Sequence, residues 1–170
     1  MANEIRDAEI LFIYDAKLTN PNGDPDDENR PRRDPFTRRA LVSDVRLKRY
    51  LRDYWLYQGY DIWVLAPDGQ HIDATDREEM LANQYEKETG KKRSKGKGKS
   101  LDHNYWAWFL QKLLDVRLFG ATVPLKAEQG TSRGESFQFT GAVQFNWGYS
   151  LHPVELNPSN SITSTFAGRG

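Results

Sequence analysis

The chain has 170 residues, the size of one ordinary domain, since domains span roughly 100 to 200 residues. Its 24 Lys and Arg residues balance 24 Asp and Glu residues, so any affinity for a polyanion must come from a local patch. No cysteine is present, which excludes disulfides, iron–sulfur clusters and thiolate zinc sites within these residues. An aromatic content of 12% argues against disorder.

The first ten residues, MANEIRDAEI, lack the basic and then apolar order of a signal peptide. The longest apolar runs fall far short of the ~20 residues that span a bilayer. We therefore expect a soluble, cytoplasmic protein without a membrane partner. The histidines lie far apart in sequence, and we expect no metal and no cofactor.

The first predicted element is a strand from Ala8 to Leu18. It contains the apolar run Ile10 to Tyr14, which suits a central strand covered on both faces. Residues 20–35 follow with four prolines and no apolar side chain, which predicts a long loop, either functional or simply flexible.

An amphipathic helix is predicted to begin after Ser43 and to end near Gly59, because a serine cap precedes leucines at helical spacing. Residues 60–66 then predict a second strand. Thr75 and Glu78 fit a capping box, which predicts a helix running to about Gly90.

Residues 91–99, KKRSKGKGK, combine six basic residues with two glycines and predict a mobile loop. A deeply packed helix is expected from Asp102 to Leu118, with Gly120 as its stop. From Phe137 to Trp147, apolar or small residues alternate with polar ones, which is typical of a strand. The order of elements predicts helices covering a mixed sheet.

Nine cations lie between residues 30 and 52 and form a local electropositive patch: Arg30, Arg32, Arg33, Arg38, Arg39, Arg46, Lys48, Arg49 and Arg52. On the predicted helix, Lys48 and Arg52 are four residues apart and can share a face. Arg46 and Arg49, three apart, can do the same, so each pair can meet successive phosphates. Ser43 and the first helical amides add an anion-binding helix end.

Internal pairing is the alternative for this patch. The acidic residues Asp24, Asp26, Asp27 and Glu28 precede it and could neutralise it. Asp24, Asp26, Asp27 and Asp34 could converge on magnesium, but turn formation explains them better.

Two further features could contact nucleic acid. Lys95, Lys97 and Lys99 alternate with small residues and could follow a flexible backbone, but a solvated loop is the favoured interpretation. The rings of the 137–147 strand could stack on unpaired bases, but a buried sheet face is the favoured interpretation.

Several ordered motifs resemble one family, the crRNA-binding backbone subunit of type I CRISPR Cascade complexes, most closely subtype I-B. They are NPNGDPD (20–26), PRRD (31–34), LVSDVRLKR (41–49), DVRLFGA (115–121), TGAVQF (140–145), SLHPV (150–154) and SIT (161–163). The resemblance covers the N-terminal portion of such a subunit, and the chain stops where that family continues into its thumb and remaining palm.

The resemblance implies an α+β fold with an RNA-recognition-motif-like (RRM-like, ferredoxin-like) palm, which is expected to be incomplete at the C-terminus. Residues 1–70 and 101–170 would form this discontinuous palm, and residues 71–100 a helical, basic, finger-like insertion. The implied function is non-catalytic, sequence-independent binding of guide RNA (crRNA) in antiviral defence. The implied partners are crRNA, target DNA through the guide, copies of itself in a helical ribonucleoprotein, and other Cascade subunits.

The resemblance also implies RNA-binding residues. Ser43, Arg46, Lys48 and Arg49 inherit the backbone-holding role of the SDVRLKR segment, and helical spacing adds Arg52. Loop contacts are expected from Asn22, Arg32 and Arg33, and possible nucleic-acid contacts from Lys95, Lys97 and Lys99. One departure from the family is Arg38, which stands where such proteins commonly carry a glycine.

Two other functions stay open. Relatives of this family in type III systems cut target RNA with a loop aspartate, for which Asp34 or Asp26 is the candidate here. A protein-only assembly module would instead use the aromatic strand and the helix that carries Trp106 as a partner surface.

Overall fold

The computed structural model describes residues 7–65, 72–93, 102–125 and 136–156. The chain divides into two compact units, which we call the first unit (Met1–Val42 with Trp147–Gly170) and the second unit (Ser43–Asn146). The described elements, in chain order, are β1 (Gly23–Asp24), β2 (Arg30–Pro31), β3 (Leu41–Val42), α1 (Asp44–Tyr57), α2 (Ala74–Thr89), α3 (His103–Lys112), α4 (Leu114–Phe119), β4 (Gly120–Pro124), β5 (Ser136–Thr140) and β6 (Gly148–Tyr149).

The described strands pair as β1 with β2, β3 with β6 and β4 with β5, each antiparallel. The prediction of mixed helix and strand, α+β, is confirmed. The expected mixed sheet is wrong for the described residues, because each strand pairs with only one antiparallel neighbour. The RRM-like arrangement stays a prediction.

The second unit has an aromatic core. Trp106 lies at its centre, with its ring centroid 5.2 Å from that of Phe109 and 4.7 Å from that of Phe137. Burying one such large side chain contributes about 1.5–3 kcal/mol. The buried cluster consists of Trp63, Leu81, Tyr85, Tyr105, Trp106, Phe109, Leu113, Val116 and Val123.

Helix α1 begins after Ser43, as predicted. The Ser43 Oγ accepts a hydrogen bond of 3.2 Å from the Arg46 amide, which satisfies one of the unpaired donors of the first turn. Leu47 is buried, as its position on the apolar face predicts. The helix ends before Gly59, whose φ of 83° suits a residue without a side chain.

Helix α2 is capped by Asp73, two residues before the Thr75 of the predicted capping box. Asp73 Oδ1 accepts hydrogen bonds of 2.8 Å from the amides of Thr75 and Asp76. Aspartate is as good a cap as threonine, so the earlier residue takes the role. The predicted stop at Gly90 is confirmed, since this glycine caps the helix in the left-handed conformation.

The single helix predicted from Asp102 to Leu118 is wrong, because the chain breaks into α3 and α4. Leu113 separates them in an extended conformation, with φ −100° and ψ 96°. Leucine and lysine at this point are good helix formers, so local propensity gives no signal for the break. The predicted stop at Gly120 is confirmed.

Strands β4 and β5 pair from Gly120 opposite Thr140 to Pro124 opposite Ser136. A Cβ atom on Gly120 would overlap the Phe139 carbonyl, and one on Gly141 would overlap the backbone of Phe119. These two glycines let the end of α4 approach the end of β5 closely.

The strand predicted from Phe137 to Trp147 is only partly confirmed. Its hydrogen-bonded pairing with β4 ends at Thr140, although half-buried and exposed residues alternate through Asn146. Beyond Thr140 the backbone leaves the pair: the amides of Ala142 and Val143 donate to carbonyls of the α4 segment instead.

Two predicted strands are wrong. Residues 8–18 form no strand, and Ile10 and Leu11 are exposed, because none of the described strands lies beside them to accept backbone hydrogen bonds. Residues 60–65 are irregular; there the amides of Trp63 and Val64 donate to the Asp115 carboxylate rather than to a strand. Ala66, the end of that predicted strand, lies outside the described residues.

The proline-rich segment 20–35, predicted as a loop, contains the short hairpin of β1 and β2. Helix α2, inside the expected finger, contributes Leu81 and Tyr85 to the core of the second unit. The predicted palm and finger boundaries stay predictions.

Candidate nucleic-acid interface

The start of α1 carries its own negative charge. Asp44 lies in the first helical turn, where a carboxylate interacts favourably with the helix dipole. Its Oδ2 accepts a hydrogen bond of 3.1 Å from the Lys48 Nζ. A phosphate at the helix end predicted beside Ser43 must therefore compete with Asp44.

Arg49 also pairs within α1. Its guanidinium forms an ion pair with Asp53 and donates a hydrogen bond of 3.2 Å to the Val64 carbonyl. Helical pairs four residues apart, like Arg49 with Asp53 and Lys48 with Asp44, contribute only about 0.3–0.5 kcal/mol. Both cations can therefore exchange their carboxylate for a phosphate at small cost.

Arg46 differs from its neighbours because it forms no ion pair with any described residue. Its side chain is exposed, and its guanidinium carbon lies 4.5 Å from the centroid of the Tyr50 ring. Stacking on a ring leaves the guanidinium N–H donors at the edge available for an anion.

Arg52 lies inside the second unit and is only 9% exposed. Its Nε donates a hydrogen bond of 2.9 Å to Asp115 Oδ2, and Asp115 also accepts from the amides of Trp63 (2.8 Å) and Val64 (3.3 Å). The fully buried Asp115 thus ties α1 and the 61–65 segment to α4. The RNA contact of Arg52 stays a prediction, but its position gives it a structural role first.

In the first unit, the structure brings Asn22 and Arg32 together. The Arg32 amide donates a hydrogen bond of 2.9 Å to the Asn22 carbonyl, and its guanidinium pairs with Asp24 at 3.1 Å. Arg30 likewise pairs with Glu28 at 3.1 Å. The internal pairing weighed for this patch therefore holds for these two arginines.

The next segment, 33–40, is a tight turn that we call the arginine hairpin. Asp34 Oδ1 accepts hydrogen bonds of 2.8 Å from the amides of Phe36 and Thr37. These two hydrogen bonds hold the pKa of Asp34 below its usual range, and the bond from the Thr37 amide has the larger effect. Arg38 adopts φ 56°, a left-handed conformation that glycine adopts without strain. The turn thus forms with arginine at the position where the resembled family carries glycine.

The arginine hairpin carries cations without carboxylate partners among the described residues. Arg33 donates only to the Val154 carbonyl, at 3.4 Å, Arg38 is exposed, and the Arg39 guanidinium carbon lies 5.6 Å from the Tyr149 ring centroid. Residues 35–43 contain no acid, which is the sequence signal for this difference. Arg33 is among the predicted RNA-binding residues, whereas Arg38 and Arg39 are predicted only as members of the electropositive patch.

The aromatic strand divides into a buried and an exposed part. Phe137 and Phe139 pack on Trp106, with centroid distances of 4.7 and 5.5 Å, so the buried-face interpretation is confirmed for them. Trp147 and Tyr149 are 50% and 62% exposed. Neither ring was among the predicted site residues.

The predicted contacts Lys95, Lys97 and Lys99 lie outside the described residues. The last described cation before them, Arg93, turns inward and pairs with the buried Glu78 at 3.2 Å. Glu78 also accepts a hydrogen bond of 3.0 Å from the Tyr105 hydroxyl. Burial raises the pKa of Tyr105, so its hydroxyl keeps the proton that it donates.

Within the described ranges, no three His, Asp or Glu side chains are placed to hold a metal ion. None of the described helices is long and apolar enough to cross a membrane.

Comparison with known proteins gives two matches. A family model described as CRISPR-associated protein Cas7 matches residues 6–170. A curated protein of Haloferax volcanii, named CRISPR-associated protein Cas7, is 34% identical over an alignment 184 positions long, which covers 94% of this chain and 48% of the relative. The chain therefore spans about half the length of this curated relative.

Proposed function

Because the chain belongs to the CRISPR-associated protein Cas7 family, we propose that it binds CRISPR guide RNA without catalysis and without reading its sequence. It does so as a repeated backbone subunit of a type I, I-B-like Cascade complex in antiviral defence. Its partners are crRNA, target DNA through the guide, further copies of the chain and the other subunits.

One observation carries this proposal: four arginines of the patch have no carboxylate partner among the described residues. They are Arg33, Arg38 and Arg39 in the first unit and Arg46 in the second. A guanidinium binds a phosphate through two parallel hydrogen bonds. Contacts to phosphates position an RNA strand and carry no base information, so binding is independent of sequence and the base edges stay free to pair.

The remaining predicted residues have different roles in this proposal, from RNA contact to support of the fold. Lys48 and Arg49 join the RNA contacts by exchanging weak surface pairs, and Ser43 holds the first turn of α1 that carries Arg46. Asn22 and Arg32 support the hairpin of β1 and β2. Arg52 acts from the core, through Asp115, by fixing α1 in place.

The absence of catalysis is part of the proposal. The nuclease candidate Asp34 uses one carboxylate oxygen to hold the turn amides of Phe36 and Thr37, which supports a structural role for it. Magnesium-dependent cleavage of a complementary RNA that is lost in Asp34→Ala would contradict this part.

The salt dependence of RNA binding tests the proposal at Arg46. For a single strand, the logarithm of the binding constant falls with the logarithm of salt concentration, with a slope of about −0.7 for each phosphate neutralised. We expect Arg46→Gln to reduce that slope by about 0.7 and to weaken binding at low salt. The measurement is a fluorescence titration of a single-stranded RNA at several salt concentrations.

Arg117→Gln is the matched control, because Arg117 is also an exposed arginine of the second unit and the substitution removes the same charge. Its slope should equal that of the wild type. If both variants lose the same slope, the protein responds to net charge alone. If neither changes it, Arg46 contacts no phosphate and the proposed site is wrong.

A further inference from the structure

Two aromatic side chains of the first unit, two residues apart in sequence, are exposed to solvent. Strand β6 pairs with β3, placing Tyr149 opposite Leu41, and the Ser150 amide continues the pairing with a hydrogen bond of 3.0 Å to the Ala40 carbonyl. Trp147 precedes Tyr149 by two residues, and the two side chains are 50% and 62% exposed.

Arg39 contributes a positive charge to the same face. Leu41 opposes Tyr149, and Arg39, two residues earlier, projects to that side as well. Its guanidinium carbon lies 5.6 Å from the Tyr149 ring centroid, within cation–π distance. Arg39 has no ion-pair partner among the described residues, so its charge is not neutralised there.

We propose that Arg39, Trp147 and Tyr149, which we call the aromatic face, stack on unpaired bases of single-stranded RNA. This inference rests on the proposed function and adds to it a contact with the flat faces of the bases. Phosphate contacts by the arginine hairpin hold the strand nearby, and the rings engage the bases without reading their edges. Stacking of this kind tolerates every base, because each base has a π-face.

The charges favour RNA over a protein as the occupant. The fully buried centre of a protein–protein interface is depleted of charged residues. Here the guanidinium carbon of Arg39, which has no carboxylate partner among the described residues, lies 5.6 Å from the Tyr149 ring centroid. Arg33 and Arg38 of the same hairpin also lack carboxylate partners among the described residues. The two ring-bearing residues are two positions apart, at most about 7 Å along the chain, so neighbouring nucleotides can each reach one.

The test compares two strands of equal length: an oligouridine RNA and an abasic ribose-phosphate strand. The second presents the same phosphates but no bases. Both are titrated into the purified chain, with Tyr149→Ala, Tyr149→Phe and Leu151→Ser as variants. The phenylalanine keeps the ring, and Leu151→Ser removes an exposed apolar side chain, 76% exposed, that has no π-face.

If the proposal is right, the wild type binds oligouridine more tightly than the abasic strand. Tyr149→Ala then weakens oligouridine binding roughly tenfold and leaves abasic binding unchanged, while Tyr149→Phe restores affinity and Leu151→Ser has no effect.

Other outcomes overturn it. Equal loss on both strands in Tyr149→Ala means that the ring only supports the fold. Unchanged oligouridine binding in Tyr149→Ala rules out stacking at Tyr149 while leaving phosphate binding intact. A change in oligomeric state in both Tyr149→Ala and Leu151→Ser, without a change in RNA affinity, identifies a protein-covered face. A wild type that binds neither strand refutes the proposed function itself.

Discussion

The role of each basic side chain in this protein depends on the nearest carboxylate. Lys48 and Arg52 are four residues apart on α1, yet Lys48 pairs with Asp44 at the helix surface and Arg52 pairs with Asp115 in the core. Helical spacing predicts a shared face but cannot predict Asp115, which lies 63 residues further along the chain than Arg52. Arg52, which was predicted to contact RNA, thus also holds α1 to α4 through Asp115, and its RNA contact stays a prediction.

This buried pair predicts an ordered loss of stability. Removing one partner of a buried ion pair costs about 3–5 kcal/mol, because the other charge is left uncompensated. The loss of stability in Asp115→Ala should lie near the upper end of this range, since the substitution leaves the Arg52 guanidinium and the amides of Trp63 and Val64 without their acceptor. Arg52→Met should lie near the lower end, because those amides still solvate the carboxylate. Urea unfolding followed by circular dichroism measures both.

Asp53→Ala is the control for the exposed pair with Arg49. It should cost less than about 1 kcal/mol, the usual value for an exposed ion pair. A loss of that size for Asp115→Ala as well would mean that solvent reaches the pair and that Asp115 does not tie α1 to α4.

At the scale of elements, the ends of helices could be predicted better than strands. The cap of α1 and the glycine stops lie next to the residues they serve, so the sequence displays them directly. A strand exists only where a distant neighbour accepts its hydrogen bonds, and the apolar run 10–14 belongs to none of the described strands. The Asp73 cap and the break at Leu113 were missed because their alternatives are locally just as good.

The junction of α4 with β5 gives a prediction at this scale. Gly141→Ala should destabilise the protein by about 1–3 kcal/mol, since its Cβ would overlap the backbone of Phe119 and force the chains apart. The φ of Gly141 is not in the left-handed region, so alanine adds no backbone strain there. Any loss of stability therefore comes from the overlap with Phe119. Thermal or urea unfolding measures it.

Ala142→Ser, at the exposed neighbouring position, is the matched control and should change stability by less than about 0.5 kcal/mol. Replacing glycine by alanine at an unstrained site normally stabilises by about 0.4–1 kcal/mol. A gain of that kind in Gly141→Ala would show that the helix end and strand end have room between them.

For the whole molecule, motif order was enough to predict the family, whereas the site required coordinates. The family match confirms the resemblance that NPNGDPD and LVSDVRLKR carried. Whether an arginine keeps an unneutralised charge depends on which side chains lie beside it in the fold. Arg32 forms an ion pair with Asp24, whereas Arg38 and Arg39 follow the last acidic residue of the arginine hairpin. The predicted site residues also divide between the two units, which no local pattern reveals.

Burial is distributed unequally between the units, and this predicts unequal stability. Among described residues of the first unit, Val42 is the only buried hydrophobic side chain, whereas the second unit has the whole aromatic cluster. Segments with few buried apolar contacts open locally at a low free energy, and core helices open only with global unfolding.

Hydrogen exchange should therefore be fast at the hydrogen-bonded amides of Leu41 and Ser150 and slow at Phe109. Denaturant should accelerate exchange at Phe109 alone. Equal protection of all three amides would mean that the units unfold together, and RNA would then meet an arginine hairpin that is already rigid.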